Sequence, residues 1–152
     1  MSKTNVWESD LLKLVFNNTT ASLIGDATGL VGSATPGVLY VSLHTADPSE
    51  GGSQTSSETT YAGYARFAVA RTVGGWTVTE VDAGPSTVTN AGQVNFPQCT
   101  SGGPVSITHV GVGTSSSGAG KLLYKGALAS ALAVSQNITP SFAATTLIIT
   151  EA

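Results

Sequence analysis

Hydrophobic and polar positions follow a helical period at the start of the chain. Trp7 and Leu11 lie four residues apart and further leucines continue the spacing, so one face of 1–17 is apolar. Asn5 precedes Glu8 by three residues, which predicts an N-cap and a capping box at the start of this helix. We therefore expect a short helix that packs on its own domain or, as an arm, on a neighbouring subunit.

After Gly37 the period of the pattern changes to two. Leu39, Val41 and Leu43 alternate with the residues between them, which indicates a strand over 38–44. Similar short stretches recur to the end of the chain, with Gly, Pro and Ser turn signals between them. Strands without intervening helices are typical of an antiparallel sandwich or barrel. We predict an all-β, antiparallel β-sandwich of jelly-roll-like type with about eight strands and one short N-terminal helix.

Two details concern strand geometry. The Gly74-Gly75 turn predicts a hairpin between strands at 64–71 and 76–79. The apolar positions change phase within 105–112, which predicts a β-bulge near His109.

Two polar stretches interrupt the pattern. The segment 18–37 has Asp26 as its one charged residue and no clear period, so we expect an extended surface strap or a region ordered by a partner. The segment 46–60 has no large apolar residue and is predicted to be an exposed loop. With no internal repeat or boundary, the prediction is a single domain over 1–152, with the β-sandwich over 38–152.

Composition excludes several classes of protein. Six Lys and Arg against nine Asp and Glu exclude sequence-independent binding of nucleic acid. No apolar run approaches the ~20 residues of a membrane-spanning helix, and no signal peptide is expected at the start. Cys99 is the single cysteine, so no intramolecular disulfide can form. Only 10% of residues are charged, and such a surface is poorly protected against association, although a Ser/Thr-rich β domain can also be soluble alone.

Residues with catalytic or metal-binding chemistry are sparse. Ser42, His44 and Asp47 superficially resemble a catalytic triad, but residues i and i+2 of a strand lie ~6.5–7 Å apart, so no hydrogen bond between nucleophile and base is expected. Asp47, Glu50 and Glu58 share one loop but lack the register of a Ca²⁺ site. We therefore expect no catalytic residue, no bound metal and no cofactor.

Tyr40, Tyr61 and Tyr64 flank the polar stretches. Tyrosine suits a half-buried core edge or subunit contact, and a sugar-binding platform is the alternative.

Arg66 and Arg71 are scarce charges that we expect to form ion pairs within the fold or across an interface, with Asp47 or Glu58 as candidate partners. The candidate interface residues are Trp7, Leu11, Tyr40, Asp47, Glu50, Glu58, Tyr61, Tyr64 and Arg66.

Three blocks carry a resemblance to a known family: SKTNVWESDLLKLVFN, then LYVSLHTADPSEGGSQTSSETTYAGYARFAVAR, then ITHVGVGTSSSGAGKLLYKGAL. In this order they resemble small virion proteins of tailed bacteriophages and prophages. Members are often labelled phage tail fibre protein, and similar proteins sit on phage heads as cement or decoration subunits with jelly-roll folds. The resemblance implies a virion structural protein, synthesised in the bacterial host cytoplasm, and offers no catalytic residues.

Two functions stay open at this point. The first is a capsid decoration, or cement, protein on the capsid surface, which binds the major capsid protein and copies of itself as a dimer or trimer and stabilises the assembled head. The lack of a coiled-coil heptad or repeat favours it. The alternative is a component associated with the tail fibre or collar, including a receptor-binding one. Neither nucleic acid nor a membrane is an expected partner.

Overall fold

The computed structural model describes residues 2–81 and 84–151, which form two compact units. The described part of the first unit comprises 2–38, 70–81, 84–93 and 143–151, and the second unit comprises 39–69 and 94–142. Met1, within the predicted helix or arm, and Ala152, at the end of the predicted domain, lie outside the described residues. The single domain over 1–152 stays a prediction.

One helix and nine strands are present in the described residues. They are α1 (Asn5–Asn17), β1 (Val38–His44), β2 (Phe67–Ala70), β3 (Trp76–Thr79), β4 (Ser86–Asn90), β5 (Val94–Asn95), β6 (Val105–Gly113), β7 (Leu122–Val134), β8 (Ser141–Phe142) and β9 (Ile148–Glu151).

The first unit packs α1 on a three-stranded antiparallel sheet in the order β3-β4-β9. Leu12 and Phe16 of α1 are fully buried, and the Phe16 ring meets the buried Trp76 ring edge-on at 4.9 Å. Apolar side chains at helical spacing bury one face of the helix and stabilise it. The helix packs on its own unit in this structure, and whether it also contacts a neighbouring subunit stays a prediction.

The predicted capping of α1 is wrong by one residue. Thr4 is the N-cap, and its hydroxyl accepts a hydrogen bond from the backbone N–H of Trp7. The buried Glu8 carboxylate accepts a hydrogen bond from the backbone N–H of Ser86. Threonine and asparagine are both preferred N-cap residues, so the sequence pattern alone does not choose between adjacent candidates.

The second unit contains most of a four-stranded sheet in the order β2-β1-β6-β7 and the short pair β5-β8. The pairing of β1 with β6 places His44 opposite His109. An irregularity lies where the bulge is predicted, since the register shifts between Ile107 and His109. The prediction put the extra residue within 105–112, whereas the extra residues lie on β7, where the partners of these two are Leu132 and Ala127.

The predicted hairpin between 64–71 and 76–79 is wrong. The strand β2 belongs to the sheet of β1, whereas β3 pairs with β4. A glycine turn signals a change of direction but does not choose the partner strand. Here the burial of Trp76 against α1 accompanies the pairing of β3 with β4.

Three antiparallel sheets, nine strands and one short helix confirm the all-β fold class, and a β-sandwich is consistent with them. No helix in the described residues is long and apolar enough to span a bilayer.

Candidate functional site

Glu58 and Arg66 form a buried ion pair in the second unit. The Arg66 Nε donates to Glu58 Oε1 at 2.6 Å and Nη2 donates to Oε2 at 2.7 Å. The two side chains are 2% exposed for Arg66 and 13% for Glu58. Two parallel charge-assisted bonds fix the arginine geometry. Of the two partners that the sequence left open, the structure thus places Glu58, and not Asp47, against Arg66.

The same guanidinium holds a second loop. Its Nη1 donates to the Ser115 carbonyl at 2.9 Å and its Nη2 donates to the Gly118 carbonyl at 2.8 Å. The hydrogen bonds to Glu58 raise the pKa of Arg66. Arg66 therefore joins the end of the 46–60 loop to the turn at 115–118.

Tyr64 extends this network into the sheet. Its hydroxyl donates to Glu58 Oε1 at 2.9 Å and accepts from the Leu43 backbone N–H at 3.0 Å. Burial raises the pKa of the Tyr64 hydroxyl. The Tyr61 hydroxyl donates to the Pro97 carbonyl at 2.9 Å, and burial raises its pKa to about 12. The hydroxyls of both tyrosines are thus engaged inside the unit.

An open cleft of about 420 Å³ lies beside this network. Most of the residues that line the cleft carry a hydroxyl group, and the ion pair is among them. The lining residues are Glu58, Thr59, Thr60, Tyr61, Tyr64, Ala65, Arg66, Ser116, Ser117 and Gly118. The Thr59 hydroxyl is buried and has no hydrogen-bond partner among the described residues. Because Tyr61 is only 5% exposed, it offers little ring surface on which a sugar could stack.

Ser42 and His44 do share a hydrogen bond, which corrects the sequence argument. The Ser42 Oγ lies 2.8 Å from His44 Nε2, and His44 Nδ1 lies 2.8 Å from the Ser56 carbonyl. The spacing of residues along a strand limits their backbones, whereas side chains on one face can lean together. Asp47 takes no part, because it pairs with Lys125. Ser42 and His44 are both fully buried, so the arrangement offers a substrate no access.

Glycine opposite this pair provides the space that it occupies. A Cβ atom on Gly111 would lie 2.8 Å from His44 Nε2 and 2.9 Å from Ser42 Oγ. Gly111 pairs with Ser42 in the β1–β6 register. The glycine-rich segment of β6 thus accommodates a buried polar pair.

Asp47 and Glu50 share one cation at the surface. The Lys125 Nζ lies 2.9 Å from Asp47 Oδ1 and 3.0 Å from Glu50 Oε1. The hydrogen bond from Lys125 lowers the pKa of Asp47. Glu58 is occupied by Arg66, so the three loop carboxylates do not converge. No group of three potential metal ligands occurs in the described part of the chain.

The remaining candidate interface residues lie elsewhere. Trp7 and Leu11 belong to α1 in the first unit, where both are half-buried. Tyr40 is half-buried on β1. The structure brings Glu58, Tyr61, Tyr64 and Arg66 together and Asp47 with Glu50; whether any of the nine contacts a partner stays a prediction.

Arg71 has a role that the sequence did not indicate. Its Nε donates to the Val15 carbonyl at 2.6 Å and its Nη2 donates to the Leu14 carbonyl at 2.7 Å. These carbonyls lie in the last turn of α1, which carries no basic residue of its own. Among the described residues Arg71 makes no ion pair; it caps the helix C-terminus, where carbonyls lack partners and a cation is favourable. The absence of a basic residue from the last turn of α1 is the sequence signal that a cation from elsewhere could cap this helix.

The fold and the site describe an antiparallel β protein whose charged and hydroxyl groups hold its own loops in place. A family model described as podophage GP4 fiber I protein gp80 matches residues 2–150. The chain belongs to this family of phage fibre structural proteins. It is a bacteriophage structural protein, and its location is the virion. No curated protein matches the chain.

Proposed function

We propose that this chain is a non-enzymatic structural subunit of the phage tail fibre apparatus, where it contacts neighbouring virion proteins through preformed loops. The family description, which names a fibre protein over residues 2–150, supports the fibre assignment. The observation that carries the mechanism is the buried Glu58–Arg66 pair and its bonds to two loops.

Rigid loops suit assembly for an energetic reason. A loop that is disordered before binding loses conformational entropy when it docks, and this loss subtracts from the affinity. Arg66 joins loops at 46–60 and 115–118 before any partner arrives, so less entropy is lost on contact. The cleft that Glu58 and Gly118 help to line is part of the same preformed surface.

The buried position of Ser42 and His44 also agrees with a structural role. Ser42 and His44 have the hydrogen bond of a catalytic dyad, but catalysis needs a substrate atom within reach of the serine oxygen. Because both residues are fully buried, the pair stabilises the sheet and the Ser56 end of the loop instead.

Capsid decoration is the second candidate function. The chain has no heptad or repeat, whereas a long fibre shaft is normally built from repeated units. In that case the partner would be the major capsid protein, and bridging of several capsid subunits would stabilise the head by mass action.

Copy number distinguishes the two candidates. Quantitative mass spectrometry of purified particles compares this chain with the major capsid protein. The fibre proposal predicts far fewer copies than the major capsid protein. A copy number comparable with that of the major capsid protein would favour decoration and overturn the fibre proposal.

A further inference from the structure

The strand β7 forms one edge of the four-stranded sheet, whose order is β2-β1-β6-β7. It is 13 residues long, whereas β2, at the opposite edge of the same sheet, has 4 residues. Apart from its ladder with β6, the backbone of 125–134 makes no hydrogen bond with another part of the described chain. The outer N–H and C=O groups of this stretch are therefore available to a further strand.

The sequence of β7 gives this edge little protection against pairing. Proline and charged side chains on an edge strand hinder the approach of a further strand. Residues 122–134 contain no proline, and Lys125 is their single charged residue. The Lys125 Nζ lies 2.9 Å from Asp47 Oδ1 and 3.0 Å from Glu50 Oε1 of its own chain. Because its charge is compensated there, Lys125 opposes an approaching strand only weakly.

The second half of β7 is open to solvent and carries small side chains. The exposed residues are Ala127, Ala129, Ser130, Ala131 and Ala133. The register with β6 shifts after Ala127, so residues 128–131 have no partner residue on β6. A register shift can protect an edge by bending it, but here it adds four residues that are unpaired within the sheet. Small side chains leave room for another backbone to approach them.

Strand length indicates which strand could cover this edge. The edge strands β2, β3 and β9 have 4 residues each, and β5 and β8 have 2 each, so each matches only a small part of β7. The β7 strand of a second copy matches it over all 13 residues. We propose that this chain forms a homodimer in which β7 pairs with β7 of a second copy, antiparallel and about a two-fold axis. The proposal holds for a fibre and for a capsid location alike.

The symmetry of the dimer defines its register. Full overlap of the two strands places the axis at Leu128, the middle residue of 122–134. Lys125 then lies opposite Ala131 of the second copy, so the two lysines do not oppose each other. Ala127 lies opposite Ala129 of the second copy, and the same pair recurs on the other side of the axis. Residues directly opposite in an antiparallel pair are close enough for their charges to interact.

Sedimentation analysis of the full chain tests the dimer and its register together. The wild-type chain should dimerise. Ala127→Lys/Ala129→Lys places like charges opposite each other and should raise the dissociation constant about tenfold or more. Ala127→Lys/Ala129→Glu places opposite charges there and should dimerise as the wild type does. Ala68→Lys/Ala70→Lys is the matched control, because these alanines are exposed on β2 at the other edge of the sheet, and it should also dimerise normally.

A wild-type chain that stays monomeric up to its solubility limit, or that forms trimers, would overturn the proposal. Equal weakening by the β2 control, or by Ala127→Lys/Ala129→Glu, would overturn it as well. Cysteine crosslinking gives a second test that does not depend on the lysine variants. Under oxidation Ala127→Cys/Ala129→Cys should link two copies, whereas Ala68→Cys/Ala70→Cys should not. No link in the first variant, or equal links in both, would contradict a β7–β7 interface.

Discussion

The hydrogen bond between Ser42 and His44 holds the imidazole of a fully buried histidine in place. The Ser56 carbonyl can only accept, so His44 Nδ1 carries a hydrogen; because burial lowers the pKa of His44, Nε2 is unprotonated at neutral pH and accepts from the Ser42 hydroxyl. The neutral imidazole thus satisfies both neighbours. The buried Ser42–His44 pair connects β1 to the 46–60 loop through the hydrogen bond to the Ser56 carbonyl.

Acid should destabilise the fold through His44. Burial lowers the pKa of His44 below its ordinary value of 6.5. The charge of Glu58 raises this pKa, whereas the charges of Arg66 and His109 lower it further. As pH falls below about 6.5 the unfolded chain takes up a proton that the folded chain does not, so the free energy of unfolding decreases; above that pH the contribution is constant. Urea unfolding at pH 7.5, 6.5 and about 5 measures this slope.

His44→Gln should flatten the slope over this range, because glutamine does not titrate. His109→Gln is the matched control, since His109 lies opposite His44 in the sheet, and the slope should persist in it. A wild-type slope in His44→Gln would contradict the assignment to His44.

Breaking the buried ion pair should destabilise the second unit strongly. Arg66→Met leaves the Glu58 carboxylate buried without its cation and releases the carbonyls of Ser115 and Gly118, so we expect a loss of about 3 kcal/mol in unfolding free energy. Chemical denaturation measures the loss. Hydrogen exchange should rise over the 46–60 loop and the 115–118 turn.

Two control variants test whether the loss of stability comes from a buried unpaired charge or from the removal of any charged residue. The double variant Glu58→Leu/Arg66→Met should lose less stability than Arg66→Met alone, because no unpaired charge remains. Lys125→Met, which removes the exposed cation beside Asp47 and Glu50, should change stability little. Equal losses in Arg66→Met and Lys125→Met would refute a buried role for the pair.

Arg71→Met should loosen α1 at its C-terminal end. The variant removes charge-assisted bonds to the carbonyls of Leu14 and Val15, and we expect a loss of about 2 kcal/mol. Arg71→Lys keeps the charge near the helix terminus but not the fork geometry, so its loss should be intermediate. Amide exchange along α1 is the readout, and unchanged protection in Arg71→Met would show that the cap is not needed.

Gly63→Val should destabilise the segment between the two tyrosines. Gly63 has φ of 95°, and a Cβ atom there would lie 2.6 Å from the Gln98 carbonyl oxygen. Strain and close backbone contact together should cost about 2 kcal/mol. Gly51→Ala is the control, because a Cβ on Gly51 meets no atom within 4 Å and its φ is ordinary. Thermal unfolding compares the two, and similar midpoints would contradict the close approach.

Local patterns predicted the strands and the helix because apolar spacing reports which residues face a core. The alternation in 38–44 became β1, and the phase change near His109 became a shift in register. Patterns did not predict which strand pairs with β3, since a local period does not choose a partner strand; the pairing with β4 is accompanied by the burial of Trp76 against α1.

The site was less accessible from sequence for the same reason. The pairing of Asp47 with Lys125 joins segments that lie 78 residues apart, and the choice of Glu58 for Arg66 depends on how the chain folds back over a separation of eight residues. The Ser42–His44 bond was excluded wrongly because spacing along a strand was applied to side-chain atoms. The sequence predicts an ion pair for Arg71, whereas the side chain donates to helix carbonyls; the lack of a basic residue in the last turn of α1 indicates a missing cap but not which residue supplies it.

The most direct measurement is an asymmetric cryo-electron microscopy reconstruction of the virion with an epitope tag on this chain. We predict tagged β-rich density in the fibres at the tail, with the loops at 46–60 and 115–118 ordered against neighbouring subunits. Density repeated over the capsid lattice, or a tag absent from the particle, would contradict it.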